Sequence, residues 1–177
     1  MKLLHVDSSA LGAGSVTREL SAAIVARWAD KHPRLQVEYR DLDADPLPHL
    51  TQRSLAGDDN ADAAESGRVM ERFLAADVVV IGAPMYNVQL LHTFEAQGVD
   101  RSHRGGRKVI IASGRGGLHT GSPTDFQEAY LRQVFGFPGI ADIAFVRAEG
   151  VAHSLRHRAE AVAGALAAIP EPLPVAA

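Results

Sequence analysis

Apolar positions along the chain fall into two rhythms. Short unbroken runs, above all at residues 78–81 and 109–112, alternate with longer stretches in which apolar residues recur every three or four places. The first rhythm predicts strands buried on both faces, as in a parallel sheet, and the second predicts amphipathic helices. Residues 2–7 form the first strand, in which His5 is a tolerated strand residue. Leu20, Ala23, Ile24 and Trp28 mark a helix face that ends before Pro33. Residues 36–42 alternate and read as a second strand, and residues 43–60 as a loop rich in Asp, Pro and Gly. A helix over 61–75, through Ala64, Val69, Phe73 and Leu74, leads to the central strand, 78–81, which stops at Pro84 because proline cannot donate to a ladder. The fourth strand is 107–113. Thr124 with Gln127 three places later predicts a capping box for a helix through Tyr130, Leu131 and Val134 to Gly136. Residues 140–146 are the fifth strand, and 155–169 a closing helix stopped by Pro170.

This alternation predicts an α/β fold: one domain over residues 1–177, a doubly wound five-stranded parallel sheet in the order 2-1-3-4-5, with helices on both faces. Ligands of such sheets bind beyond the carboxyl ends of the strands, at the point where the strand order reverses. Three loops would meet there. Residues 8–17 are small, hydroxyl-rich and glycine-punctuated, and they lead into a helix N-terminus. Such a place binds anions through unpartnered N–H groups and the positive end of the helix dipole, although Ser15 or Thr17 could equally serve as a simple N-cap. The loop is neither GxGxxG nor GxxxxGK[ST], so neither a dinucleotide fingerprint nor a P-loop is indicated. Met85, Tyr86 and Asn87 follow the central strand and offer a thioether, a phenol and an amide to a flat, partly polar ring. Gly114, Arg115, Gly116 and Gly117 follow the fourth strand, where glycine permits close backbone approach or merely makes a turn. Together the loops suit one ligand with an anionic tail and a flat head.

Composition narrows the choice. Cysteine is absent, which excludes a thiol nucleophile and thiolate metal sites and leaves no disulfide. A net charge of -3 gives no electrostatic case for nucleic acid. No apolar run is long enough to span a membrane, and the first residues enter a strand at once rather than a leader, so the cytoplasm is the expected compartment.

The ordered set Ser8-Ser9, Ser15 to Thr17, Ala83-Pro84-Met85-Tyr86-Asn87, Arg115-Gly116-Gly117 with His119, Pro123-Thr124-Asp125, Tyr130-Leu131, Gly136-Phe137, Gly139-Ile140 and Ala148-Glu149-Gly150 resembles the FMN-dependent NADH azoreductases, also described as NADH:quinone oxidoreductases, of the flavodoxin-like superfamily. The likeness covers almost the whole chain. It implies a flavodoxin-like fold and a homodimer with flavin sites near the interface. It implies that Ser9, Ser15, Val16 and Thr17 bind the FMN phosphate, that Met85, Tyr86 and Asn87 contact the ring beside Val88, and that Gly114, Arg115, Gly116 and Gly117 line the ring's surroundings. NADH (or NADPH) would reduce FMN, which would pass hydride through N5 to a quinone or azo compound in a ping-pong cycle, with no obligatory side-chain acid or base. Val88 stands where the family has phenylalanine, and Gly114 where serine is common. The interval 88–107 is shorter than the family's by about one helix. Two readings of that interval stand: a true deletion, or residues omitted from the sequence. Because strands apolar on both faces need a helix on each side, the second is favoured. Two rival functions are a flavodoxin-type electron carrier, which the near-balanced charge disfavours, and a redox-inactive binding module if the crossover is truly deleted.

Overall fold

In the computed structural model the described residues are 1–48, 51–56, 60–86 and 107–172. They form β1 (Lys2–Asp7), α1 (Val16–Lys31), β2 (Gln36–Asp41), α2 (Gln52–Ala56), α3 (Asn60–Ala75), β3 (Val78–Pro84), β4 (Lys108–Gly114), α4 (Phe126–Gly136), β5 (Asp142–Ala148) and α5 (Leu155–Ala167). The five strands are all parallel and lie in the order β2-β1-β3-β4-β5, as the sequence predicts.

Side chains alternate across a strand, so the continuous runs of β3 and β4 feed two cores. Val78, Val80, Ile110 and Ala112 point to the face covered by α1 and α5, where Leu20, Ile24, Trp28, Val162 and Ala165 are buried against them. Val79, Ile81, Val109 and Ile111 point to the other face, against Phe73 of α3 and Leu131 and Phe135 of α4. The Phe73 and Phe135 rings stack with centroids 6.3 Å apart, so α3 and α4 meet over the middle of the sheet. Each aliphatic side chain so buried is worth about 1.5–3 kcal/mol.

Both faces of β3 and β4 thus carry helix residues. The crossover at residues 87–106, for which the sequence leaves a true deletion or omitted residues open, lies outside the described residues.

Three local expectations change. The short helix α2 interrupts the loop expected over 43–60, within a stretch free of Gly and Pro. The fifth strand starts two residues late. The Ile140 amide donates to the Phe135 carbonyl at 3.0 Å, so Ile140 closes the turn after α4, with Gly139 at φ 91°. Pairing begins at Asp142, whose carboxylate meets Lys108 Nζ at 2.9 Å. The capping box does not form. Asp125, not Thr124, precedes α4, and its side chain makes no cap. Thr124 Oγ1 is engaged by His119 Nδ1 at 3.1 Å and Ser122 Oγ at 2.8 Å, while Gln127 turns into the core.

The registers align what matters for a ligand. Asp7 pairs with Gly82, Pro84 with Gly114, and Gly114 with Ala148. The carboxyl ends of β1, β3, β4 and β5 thus form one edge.

Candidate functional site

The hydroxyl-rich loop leaves β1 at Asp7, makes one turn of 3₁₀ helix over Gly12–Gly14 with Gly12 at φ 50°, and enters α1. Ser15 is the N-cap, its Oγ accepting from the Arg18 amide at 3.3 Å. The same Oγ lies 3.0 Å from Thr17 Oγ1. Ser9, Ser15, Val16 and Thr17 are all buried. The amides of Val16 and Thr17 find no partner among the described residues. Two orphan donors beside buried hydroxyls at the positive end of a 16-residue helix suit a phosphate. Capping and anion binding are therefore compatible here rather than alternatives.

Two arginines reach this loop: Arg158, whose Nη2 donates to the Gly14 carbonyl at 3.2 Å, and Arg18. Arg18 donates to the Ser9 carbonyl from Nε at 3.2 Å and Nη2 at 2.7 Å, and makes a two-pronged pair with Asp41 at 2.7 Å on each prong. Its hydrogen bonds to Asp41 hold that carboxyl below its usual range and push the guanidinium up. Tyr39 joins the group through Arg18 Nη1 at 3.1 Å and Asp7 Oδ2 at 3.2 Å. Burial and the neighbouring carboxylates Asp7 and Asp41 push its phenol up. Asp7 is buried at the end of β1, 2.8 Å from Ser21 Oγ and 3.4 Å from His5 Nε2. His5 is thus a partly paired strand residue, as expected. A cleft of about 550 Å³ on the β2 side of the loop is lined by Ser15, Arg18, Glu19, Asp41 and Asp43 among others. Its far wall is acidic, through Glu19, Asp41 and Asp43, and its near wall is the α1 N-terminus.

The three loops do converge. Ser8 Oγ donates to the Gly82 carbonyl at 2.9 Å. Tyr86 Oη lies 3.0 Å from Ser9 Oγ, which places the phenol on the hydroxyl loop. Half-buried Met85 donates its amide to the Gly114 carbonyl at 3.0 Å. A Cβ on Gly114 would sit 2.9 Å from Thr17 Cγ2, so the exit of β4 lies directly against the start of α1. Gly82 is forced in the same way, since a Cβ there would fall 2.2 Å from Asp7 Oδ1. Asn87 and Val88 lie outside the described residues.

The side chain of Arg115 faces away from the three-loop crevice. It is wholly buried, 0% exposed, and turns beneath its own loop. Nε donates to Ser113 Oγ at 3.1 Å, Nη1 to Asp125 Oδ2 at 3.1 Å and Glu149 Oε1 at 3.2 Å, and Nη2 to Glu128 Oε1 at 3.0 Å. Arg147 clamps the same Glu128. Only the backbone of Arg115 can line a ligand, with the half-buried Gly116 and Gly117. Gln127, Arg18 and Glu149 escaped sequence reasoning. Gln127 is 2% exposed, accepts from Ser113 Oγ at 2.9 Å and donates to the Ala83 carbonyl at 3.0 Å. It fastens α4 to the ends of β3 and β4. Its signal was a polar residue on the inward face of a helix, which the capping-box pattern concealed.

Comparison with known proteins agrees with this geometry. Residues 1–171 match the model of a family described as having a flavodoxin-like fold. The chain is 56% identical to FMN-dependent NADH:quinone oxidoreductase 1 of Xanthomonas euvesicatoria pv. vesicatoria, over 97% of this chain and 96% of the relative. That match runs over 187 positions, more than the 177 residues here, so the relative carries residues with no counterpart in this chain. Among solved structures, the azoreductase AzrA superposes with a TM-score of 0.82 at 23% identity, covering 94% of this chain and 96% of that one. An FMN-dependent NADH-azoreductase from Bacillus anthracis, solved in complex with FMN, gives 0.76 at 19%, covering 95% of each. At these identities the two structures speak for the fold.

Proposed function

The chain belongs to the FMN-dependent NADH:quinone oxidoreductases of flavodoxin-like fold, and from that membership we propose how its residues serve the reaction. It is an oxidoreductase that uses FMN and NADH. When bound, the cofactor supplies ping-pong hydride transfer through flavin N5, from NADH to a quinone or azo acceptor.

The protein's part is to bind and orient. Ser9, Ser15 and Thr17, with the free amides of Val16 and Thr17, would hold the FMN phosphate. Helix dipole and neutral donors would balance its charge, because Arg18 is committed to Asp41. Met85 and the backbone of Gly114 to Gly117 would flank the ring; Asn87 and Val88, also assigned to it by the family resemblance, lie outside the described residues. Tyr86 would join ring side to phosphate side through Ser9. No side chain would be required to donate a proton to the acceptor.

We place the enzyme in the cytoplasm as a homodimer. No described helix is long and apolar enough to cross a membrane. Phe126, Tyr130 and Phe137 are exposed on one side of α4 and its C-terminus, with Leu118 exposed on the loop before it. Such apolar surface suits an isologous contact.

The observation that carries the assignment is the meeting of the three loops, Ser9 with Tyr86 and Gly114 with Thr17, in a chain 56% identical to a relative so named. The test is reconstitution with FMN followed by NADH oxidation with a quinone acceptor. A flavin spectrum with quinone-dependent turnover is expected. No flavin binding would overturn the assignment, and binding without NADH turnover would favour an electron carrier.

A further inference from the structure

The turn after β4 is held by far more than a glycine-rich turn needs. The carbonyls of Arg115, Gly116 and Gly117 accept from the amides of Val151 at 3.2 Å, Ala152 at 3.2 Å and Gly150 at 3.0 Å, and the Arg115 amide donates to Ala148 at 2.9 Å. The stretch is thereby stitched to the exit of β5. The next residues hang on a single carboxylate oxygen. Glu149 Oε1 accepts the amides of His119 at 2.8 Å and Thr120 at 2.9 Å as well as Arg115 Nη1. These bonds, with the field of Arg115, outweigh burial and hold the Glu149 carboxyl below its usual range. A buried ion cluster is poor evidence of stability, because apolar residues of similar volume often do as well or better. What a cluster of this kind supplies is geometry.

The amides of Gly116 and Gly117 have no partner among the described residues, and the turn rests against Met85 through the Gly114 carbonyl. We propose that Arg115 and Glu149 are positioning residues of the flavin site, fixing the 116–120 turn as one wall of the ring's seat without touching the ring. The proposal rests on the flavoprotein assignment above and adds residues to it. Arg115 sets the depth of the turn from below through Ser113, Asp125 and Glu128. Glu149 sets its angle by gathering the amides of His119 and Thr120. A preformed wall spares the flavin the entropic cost of ordering a glycine-rich turn on binding.

The experiment compares wild type, Glu149→Ala, Glu149→Gln and Arg115→Lys, with Ile24→Val as a core lesion on α1. FMN and riboflavin are titrated by flavin fluorescence, the visible circular dichroism of the bound flavin is recorded, and amide exchange at His119 and Thr120 is followed. Glu149→Ala should speed exchange at both amides, alter the flavin dichroism and weaken FMN and riboflavin by the same factor, about tenfold, since the turn faces the ring and not the phosphate. Glu149→Gln keeps an acceptor oxygen and should recover most of the affinity. Arg115→Lys loses the forked geometry and should weaken both flavins equally, which keeps the test open if Glu149→Ala fails to fold. Ile24→Val should leave flavin affinity and dichroism unchanged. Faster exchange in Glu149→Ala with unaltered affinity and dichroism would overturn the positioning role alone. A wild type that binds neither flavin would overturn the flavoprotein assignment and this inference with it.

Discussion

Removing the hydroxyls of the β1–α1 loop separates phosphate binding from helix capping. In Ser15→Ala with Thr17→Ala, two hydroxyls 3.0 Å apart are lost, and with them the cap that Ser15 Oγ gives the Arg18 amide. The cap contributes to folding: its loss should lower stability by about 0.5–2 kcal/mol. The hydroxyls contribute to binding only if a charged group sits there, and each hydrogen bond to a phosphate is then worth about 1.5–3 kcal/mol. Arg18 does not compensate, because it is held by Asp41 on both prongs. FMN should therefore weaken by roughly 100-fold or more in the double variant, at 1.4 kcal/mol per factor of ten. Riboflavin, which has the same ring and no phosphate, should change by less than about twofold, since the cap loss affects both flavins alike. The assay is a pair of fluorescence titrations at a temperature where urea unfolding shows both proteins fully folded. Equal loss of affinity for the two flavins would refute the phosphate assignment. An unchanged affinity for FMN would refute it more directly, leaving the loop as a cap alone.

Gln127→Leu removes two buried hydrogen bonds, from Ser113 Oγ and to the Ala83 carbonyl. Urea unfolding should show a loss of about 2–4 kcal/mol, and a loss under about 0.5 kcal/mol would remove Gln127 from its fastening role. Gly82→Ala puts a methyl 2.2 Å from Asp7 Oδ1, so it should break the Asp7–Ser21 bond and cost about 1–3 kcal/mol. The Arg18–Asp41 pair sets an acid limit. The folded pKa of Asp41 is depressed, so its contribution is complete above the unfolded value of about 3.9 and is lost as pH falls through the folded one. Unfolding free energy measured below about pH 4 should therefore fall less steeply in Asp41→Asn than in wild type, and parallel slopes would exclude the pair as a cause. Sedimentation should give a dimer, with Phe126→Asp and Tyr130→Asp together giving a monomer. A wild type that sediments as a monomer at every concentration would end the dimer proposal.

The sheet was legible because its signals are redundant. The apolar runs of β3 and β4 suit doubly buried strands, and their alternation with 3.6-residue periodicity pointed to a doubly wound sheet. The loops were legible as places, since strand ends and helix starts fix where they meet whatever their side chains do. What the sequence could not disclose was direction. Thr124 and Gln127 have capping-box spacing, yet a buried Ser113 hydroxyl and the Ala83 carbonyl outbid the helix end for Gln127, and His119 takes Thr124. The partners of Gln127 lie 14 and 44 residues away, which no local pattern encodes.

Arg115, expected only to line the ring's surroundings with its glycine neighbours, shows the same dependence on distant partners. Three carboxylates, Asp125, Glu128 and Glu149, reach it from a helix start, a helix and a strand end. A guanidinium that is 0% exposed must be paired where it lies, for an uncompensated buried charge costs several kcal/mol. Once those acids close around it, its charge is spent inside the protein and its backbone alone faces outward. Arg18 follows the same course on the opposite side of the site, where Asp41 and the Ser9 carbonyl absorb its donors. Both cations are thus fixed in the scaffold. A flavin entering there would find amides, hydroxyls and a helix dipole already in place, and it is this neutral, rigid donor set that the riboflavin comparison probes.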